Sequence, residues 1–260
     1  SIAFPKTEVT PWGSTGVQAY WRKEGPTAIQ QSKMVVDTAE LRLEELVAHV
    51  PLTNELLEDS SAASGRVTTE TGDAIRCLTN VSLVNGNGVG KPLGFMNSDA
   101  LVSVAKEAGQ AADTIVPMNI YKMYARALNP AQGVWLYNPD VFPQFQALSQ
   151  GNQPIFIPSS AGIVGSPGGI LLGRPMIPTD THQTLGDLGD LSFVNWKAYS
   201  TITKRAGIQS DTSMHLWFDL NMTAFRAIFR VDGQPWLTAP VTPPNSTATR
   251  SPFVTLAERA

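Results

Sequence analysis

Leu46-Val47-Ala48-His49-Val50-Pro51-Leu52-Thr53-Asn54-Glu55-Leu56-Leu57-Glu58-Asp59 is the stretch on which the reading of this chain turns. Residues 44–51 are short and apolar and close on Pro51, whose fixed φ and missing N–H end a regular segment. A helix signal follows at once. Thr53 and Asn54 offer side-chain oxygens to the unpaired N–H groups of a first turn. Glu55, Glu58 and Asp59 set negative charge at its positive end. From Ser60 to Val84 the chain stays helix-compatible, with Val67, Thr71, Ala74, Ile75, Leu78, Val81 and Leu83 recurring near the 3.6-residue period. Gly65 and Gly72 oppose the helix, each by about 1 kcal/mol relative to Ala. Asn85-Gly86 ends it.

Working downstream, the Gly-rich run from Asn85 to Phe95 reads as a loop. Residues 116–128 predict a helix with Met118, Tyr121, Tyr124, Ala125 and Leu128 on one face. Val134-Trp135-Leu136-Tyr137 predicts a buried strand, and Asn138-Pro139-Asp140 starts a helix from Val141 to Ser149. Residues 150–169, rich in Gly and Pro, read as loop. Ile170 to Pro178 reads as a second buried strand broken by prolines. The β signal dominates from Leu191 to Arg230. Asp232-Gly233 reads as a hairpin turn, Pro235-Trp236-Leu237-Thr238 as the start of the last strand, and Thr242 to Ala260 as an extended tail.

Working upstream, residues 1–43 are interrupted by Pro and Gly and read as extended. Val17 to Trp21 and Met34 to Leu43 alternate weakly about the polar turn Arg22-Lys23-Glu24-Gly25-Pro26, which predicts a long two-stranded hairpin. Such a hairpin is barely stable alone in water. It needs a body to lie on, which points to an intersubunit arm. Trp21, Arg22, Lys23 and Glu24 are the predicted intersubunit contact.

Composition narrows the function classes. Charged residues make up 16% of the 260, against roughly 25% in ordinary soluble domains, as suits a surface largely covered by neighbours. Net charge is −3, which argues against a basic nucleic-acid binder. The single cysteine, Cys77, excludes an intrachain disulfide and reads as a buried apolar thiol on the predicted helix. No apolar run approaches the roughly 20 residues of a membrane span, and no signal peptide is visible. The start at Ser1 leads to the expectation of a segment upstream.

No catalytic, cofactor or metal site emerges. The run Gly86 to Lys91 lacks the spacing of a phosphate loop, and Pro92 stands where Ser or Thr is needed. His49, His182 and His215 lack partners at metal spacing, and Asp180, Asp187 and Asp190 read as solvated loop carboxylates. Gly162-Ile163-Val164-Gly165-Ser166 is not a nucleophile elbow. Glu44, Glu45, Glu55, Glu58 and Asp59 cluster around Pro51, where helix-end charge explains the second group.

Five segments in order resemble the tailed-phage major capsid protein family, whose Hong Kong ninety-seven-like fold is shared with encapsulin shells. Ala19 to Gly25 is similar to the family's Trp-x-x-Glu-Gly arm. Leu46 to Asp59 is similar to its strand, Pro and Glu-Leu-Leu-Glu-Asp helix start. Leu83 to Gly88, with Pro92-Leu93-Gly94, resembles the loop that ends its long helix. Trp135 to Asp140 resembles its strand to Asn-Pro to helix step, and Leu172 to Met176 its Leu-x-Gly-x-Pro strand.

The resemblance implies an α+β phage capsid fold. Residues 1–43 would be an extended β-hairpin arm. Residues 44–93 and 196–228 would be a peripheral domain with the long helix. Residues 94–195 and 229–248 would be an axial α/β domain, and 249–260 a C-terminal tail. The implied function is self-assembly, with no enzyme activity and no cofactor, into hexamers and pentamers of an icosahedral virion shell enclosing double-stranded DNA. Assembly in the bacterial host cytoplasm is implied. So are a scaffolding segment or protein, a portal and a decoration protein as partners, with no membrane. The alternative is an encapsulin-like or gene-transfer-particle shell subunit, and the distant alternative a small α/β enzyme. Part of the family cross-links an arm Lys to a hairpin Asn beside a buried Glu. Here Lys23 matches the Lys, but the hairpin tip Thr212 to Phe218 has no Asn and Ser200 to Gly233 no Glu, so cross-linking is not expected.

Overall fold

The computed structural model describes residues 1–13, 16–22, 24–25, 28, 30–59, 63–150, 153–154 and 169–259. In chain order the elements are β1 (Ile2–Lys6), β2 (Asp37–Leu41), β3 (Glu44–Thr53), α1 (Asn54–Asp59), α2 (Ala63–Asn85), β4 (Val102–Val104) and α3 (Pro117–Arg126). There follow β5 (Val134–Tyr137), α4 (Phe142–Ala147), β6 (Ser149–Gln150), β7 (Gln153–Pro154), β8 (Ile170–Leu171), β9 (Arg174–Pro178) and β10 (Leu191–Val194). The last four are β11 (Tyr199–Thr203), β12 (Gln209–Trp217), β13 (Met222–Pro235) and β14 (Phe253–Leu256). The chain forms two compact units.

One unit comprises residues 1–2, 41–97 and 200–234. Its spine is β13, which pairs antiparallel with β3 from Met222 opposite Thr53 to Val231 opposite Glu44. Burial along β3 alternates strictly, as a strand with one covered face requires. β3 has only β13 beside it, so Pro51 costs no ladder bond, because edge positions tolerate a missing N–H. The predicted turn at Asp232-Gly233 is absent, since β13 runs through it. Asp232 instead accepts from Arg42 N at 2.8 Å, and Gly233 O accepts from Leu93 N at 2.8 Å. These bonds hold the dipeptide straight where its local preference is to turn.

The predicted long helix is present as α2. Asn54 does more than cap it. Its amide donates to Asn221 Oδ1 at 2.7 Å, and its own Oδ1 accepts from Thr223 Oγ1 at 2.7 Å. At the other end Gly86 N donates to Ser82 O, and Gly94 N to Gly86 O. Asn97 Nδ2 reaches the carbonyls of Asn85 and Gly86. A Cβ on Gly94 would lie 2.4 Å from Val84 O and 2.6 Å from Gly86 N. The crossing of two backbones, rather than a phosphate, explains these glycines. Gly94→Ala is expected to cost about 2 kcal/mol, in the range of a forced backbone shift, read as a lower urea midpoint with unchanged slope.

The other unit comprises residues 3–40, 98–199 and 235–260. Its six-stranded mixed sheet runs β4-β14-β10-β5-β9-β8. β10 is antiparallel to both neighbours, whereas β14 with β4 and β5 with β9 are parallel. The predicted strand at 134–137 forms and is central. Phe193 stands directly opposite Trp135, their rings 4.6 Å apart, and Phe145 of α4 packs edge-on to Tyr137 at 5.4 Å. The predicted helix start at Asn138 forms as a 3₁₀ turn, with Asn138 Oδ1 accepting from Asp140 N at 2.9 Å.

Three expectations change here. α3 buries Asn119, Ile120 and Met123, nearly opposite the predicted face, and leaves Met118 exposed. Asn119 is polar, so no apolar stripe advertised that face. Its Oδ1 accepts from Gln110 Nε2 at 2.9 Å and Val116 N at 3.1 Å. The second buried strand is a short hairpin, β8 against β9, in which only Leu171 and Met176 are buried. Residues 249–260, expected as a tail, supply β14, all four of whose residues are buried. Four residues between prolines and polar neighbours are too few to show a period. Most of the predicted loop at 150–169, with Gly162 to Ser166, lies outside the described residues.

Candidate functional site

Catalytic groups can be placed first. His49 lies beside Trp217, ring centroids 5.2 Å apart, and His215 is exposed on β12. His182 is buried, with Nδ1 3.4 Å from Thr181 Oγ1. Asp190 is no solvated loop carboxylate. Its side chain and that of Arg259 are both fully buried and ion-paired, and Asp190 also accepts from Gly186 N at 3.0 Å. Arg259, at the far end of the sequence, also donates to Thr114 O at 2.9 Å and Ala257 O at 3.1 Å. The pair closes the unit around its sheet. Among the described residues no three His, Cys, Asp or Glu side chains come together as metal ligands would. No described helix is long and apolar enough to cross a membrane.

Burial pulls the His182 imidazole down to about 4. The unfolded chain, near 6.5, therefore takes up this proton first, and stability is lost as pH falls from about 6.5 to about 4. Up to roughly 3 kcal/mol is at stake. Urea midpoints of the native chain should fall across this window, and His182→Gln should remove that part of the slope.

What the structure does present is uncovered apolar surface. The predicted hairpin is not formed: among the described residues no strand lies between Lys6 and Asp37, and β1 pairs with β2 instead. The segment between is held by side chains. Ser32 Oγ accepts from Gln18 N at 3.0 Å and donates to Gln18 O at 3.3 Å, and Arg22 donates to Gly25 O at 2.9 Å. Polar side-chain bonds replaced a ladder because weak alternation specifies no register. The arm's root is pinned within its own unit. Trp12 Nε1 donates to Thr242 O at 2.8 Å, Glu8 accepts from Thr238 N and Oγ1 at 3.1 and 2.6 Å, and Phe4 stacks on Trp236 at 5.6 Å.

Of the predicted contact residues, Trp21, Arg22 and Glu24 are all exposed; Lys23 lies outside the described residues. Trp21 has an exposure of 105%, so its indole touches almost nothing in its own chain. Val17, Met34, Val35 and Val36 are also exposed.

Two further surfaces escaped the sequence reading. α2 buries only Ile75 and Val84, and Leu78 of its apolar stripe is half exposed. Cys77, expected to be buried, is exposed, because so little of this helix is covered within the chain. On β12 and the turn after it, Met214, Leu216, Phe218 and Leu220 are all exposed, Phe218 by 79%. The period-2 spacing of these four was the available signal. Exposed apolar groups on the arm, on α2 and on β12 are more than single scattered residues. Such patches mark surfaces that another chain covers.

The comparisons agree with a protein built to be covered by its neighbours. A profile of the phage capsid family matches residues 5–245. No curated protein matches the chain. Among solved structures, the capsid of a native GTA particle aligns at TM-score 0.73 and 18% identity, over 100% of this chain and 86% of that one. A chain from Mycobacterium phage Adephagia aligns at TM-score 0.69 and 13% identity, over 98% and 84%. The SrpI encapsulin of Synechococcus elongatus aligns at TM-score 0.60 and 12% identity, over 86% and 79%. The α+β capsid fold is common to all three, and the chain belongs to the phage capsid family as a shell-forming structural protein, not an enzyme.

Proposed function

We propose that this chain is the major capsid subunit of an icosahedral virion shell, assembling as hexamers and pentamers around double-stranded DNA. The observation that carries this reading is the apolar surface left open on three separate elements: the arm, α2 and the end of β12. Each patch is small, but closed symmetric assemblies sum many modest interfaces. The unit holding α2 and β13 would serve as the peripheral domain and the unit holding the six-stranded sheet as the axial domain. Residues 1–43 would serve as the arm, with Trp21, Arg22, Lys23 and Glu24 touching a neighbour. A net charge of −3 suits a wall that encloses DNA without gripping its phosphates. A scaffolding segment or protein, a portal and a decoration protein belong to the same reading, as does assembly in the host cytoplasm.

The test is to express the chain, with any segment that precedes it in its gene, and to image the product by electron microscopy. Closed shells or ring-shaped capsomers are expected. Monomers under every assembly condition would overturn the proposal. Nuclease-protected double-stranded DNA in particles purified from the native source separates a genome container from an encapsulin-like compartment, which would hold protein instead.

A further inference from the structure

We infer that Trp21 of one copy of this chain seats in the groove between α2 and β3 of a second copy, with Arg22 and Glu24 meeting Glu44 and Lys91. The inference rests on the shell reading above and supplies the receiving site for the arm. The groove has a volume of about 320 Å³ and an apolar floor that includes Leu46, Leu78, Val81, Pro92 and Val231. That is the size of pocket that takes a small aromatic group. Trp and Arg are the side chains that most often anchor such contacts, and here they stand side by side, exposed, on an arm with few apolar partners of its own.

Charge selects this groove over its neighbours. Glu44 and Lys91 line it, and among the described residues neither has an ion-pair partner. The arm tip carries the complementary pair, Arg22 and Glu24. Two other grooves border α2, but their acids are already engaged: Asp211 pairs with Arg226 at 2.9 Å, and Asp73 pairs with Arg76. Leu78 also has its reason here, as an apolar side chain kept half exposed beside the cavity.

The test places the photoreactive residue p-benzoylphenylalanine at position 21 of the full chain, irradiates assembled particles and maps the adducts by mass spectrometry. Adducts between two copies, in peptides containing Leu46 or residues 78–82, are expected. Intersubunit adducts confined to β12 or to the Ile208 groove would overturn the inference, as would adducts within one chain or no adducts from intact shells. Should the substituted chain fail to assemble, a charge exchange decides. Arg22→Glu and Glu44→Arg should each lower shell yield about tenfold, and the double variant should recover to within about twofold of the native chain. No recovery would overturn the inference. In each of these failures the native chain still forms shells; if it forms none, the shell reading itself is what fails.

Discussion

Arg259→Ala is expected to lower the stability of the sheet-bearing unit by roughly 3–5 kcal/mol, the cost of stranding a buried charge. Asp190 and Arg259 are both fully buried. The guanidinium gathers the carboxylate and the carbonyls of Thr114 and Ala257, so its loss leaves one charge and two carbonyls without their donors. Replacing both members with apolar side chains of similar volume is far milder, because no uncompensated charge remains. Denaturant titration should therefore show a large drop in midpoint for Arg259→Ala and recovery of at least half of it in Asp190→Leu/Arg259→Met. Full recovery is not expected, since Gly186 N loses its acceptor. An Arg259→Ala midpoint close to that of the native chain would show that the pair does not close the unit.

Trp135→Ala is expected to cost a further roughly 3–5 kcal/mol in a separate variant, as large aromatic truncations in cores do. Trp135 is fully buried on β5, faces Phe193 across the ladder, and donates from Nε1 to Leu171 O at 3.0 Å. The substitution empties the centre of the core and orphans the Leu171 carbonyl, which ties the β8–β9 hairpin to the sheet. Trp135→Phe refills most of the volume but not the hydrogen bond, so about 1–3 kcal/mol should remain. The ordering Ala, then Phe, then native in urea midpoint is the measurement. Equal midpoints for Ala and Phe would place the whole effect in the hydrogen bond.

Both sites show how far the sequence could be read. Val134-Trp135-Leu136-Tyr137 was legible as a buried strand because a fully covered strand needs no alternation, only four large apolar residues between turn signals. The Asp190–Arg259 pair was not legible, because 69 positions separate its members and charge partners at that range leave no pattern. The same contrast holds at the arm. Its exposure followed from Pro and Gly and from the instability of a lone hairpin. Its pairing did not, since weak alternation allows several registers and the structure chose β1 with β2.

The chain's local chemistry by itself determined the long helix, the Gly loop that ends it, the central strand with its Asn138 turn, and an arm that its own chain leaves uncovered. Each rests on caps, periodicity or backbone restriction acting within a few residues. Only the tertiary structure decided which face of α3 is buried, that Asp232-Gly233 runs straight, that residues 253–256 form a sheet strand, and which apolar groups stay open for a neighbour. Those outcomes depend on partners far along the chain, whose packing and hydrogen bonds outweigh local preferences worth about 1 kcal/mol or less.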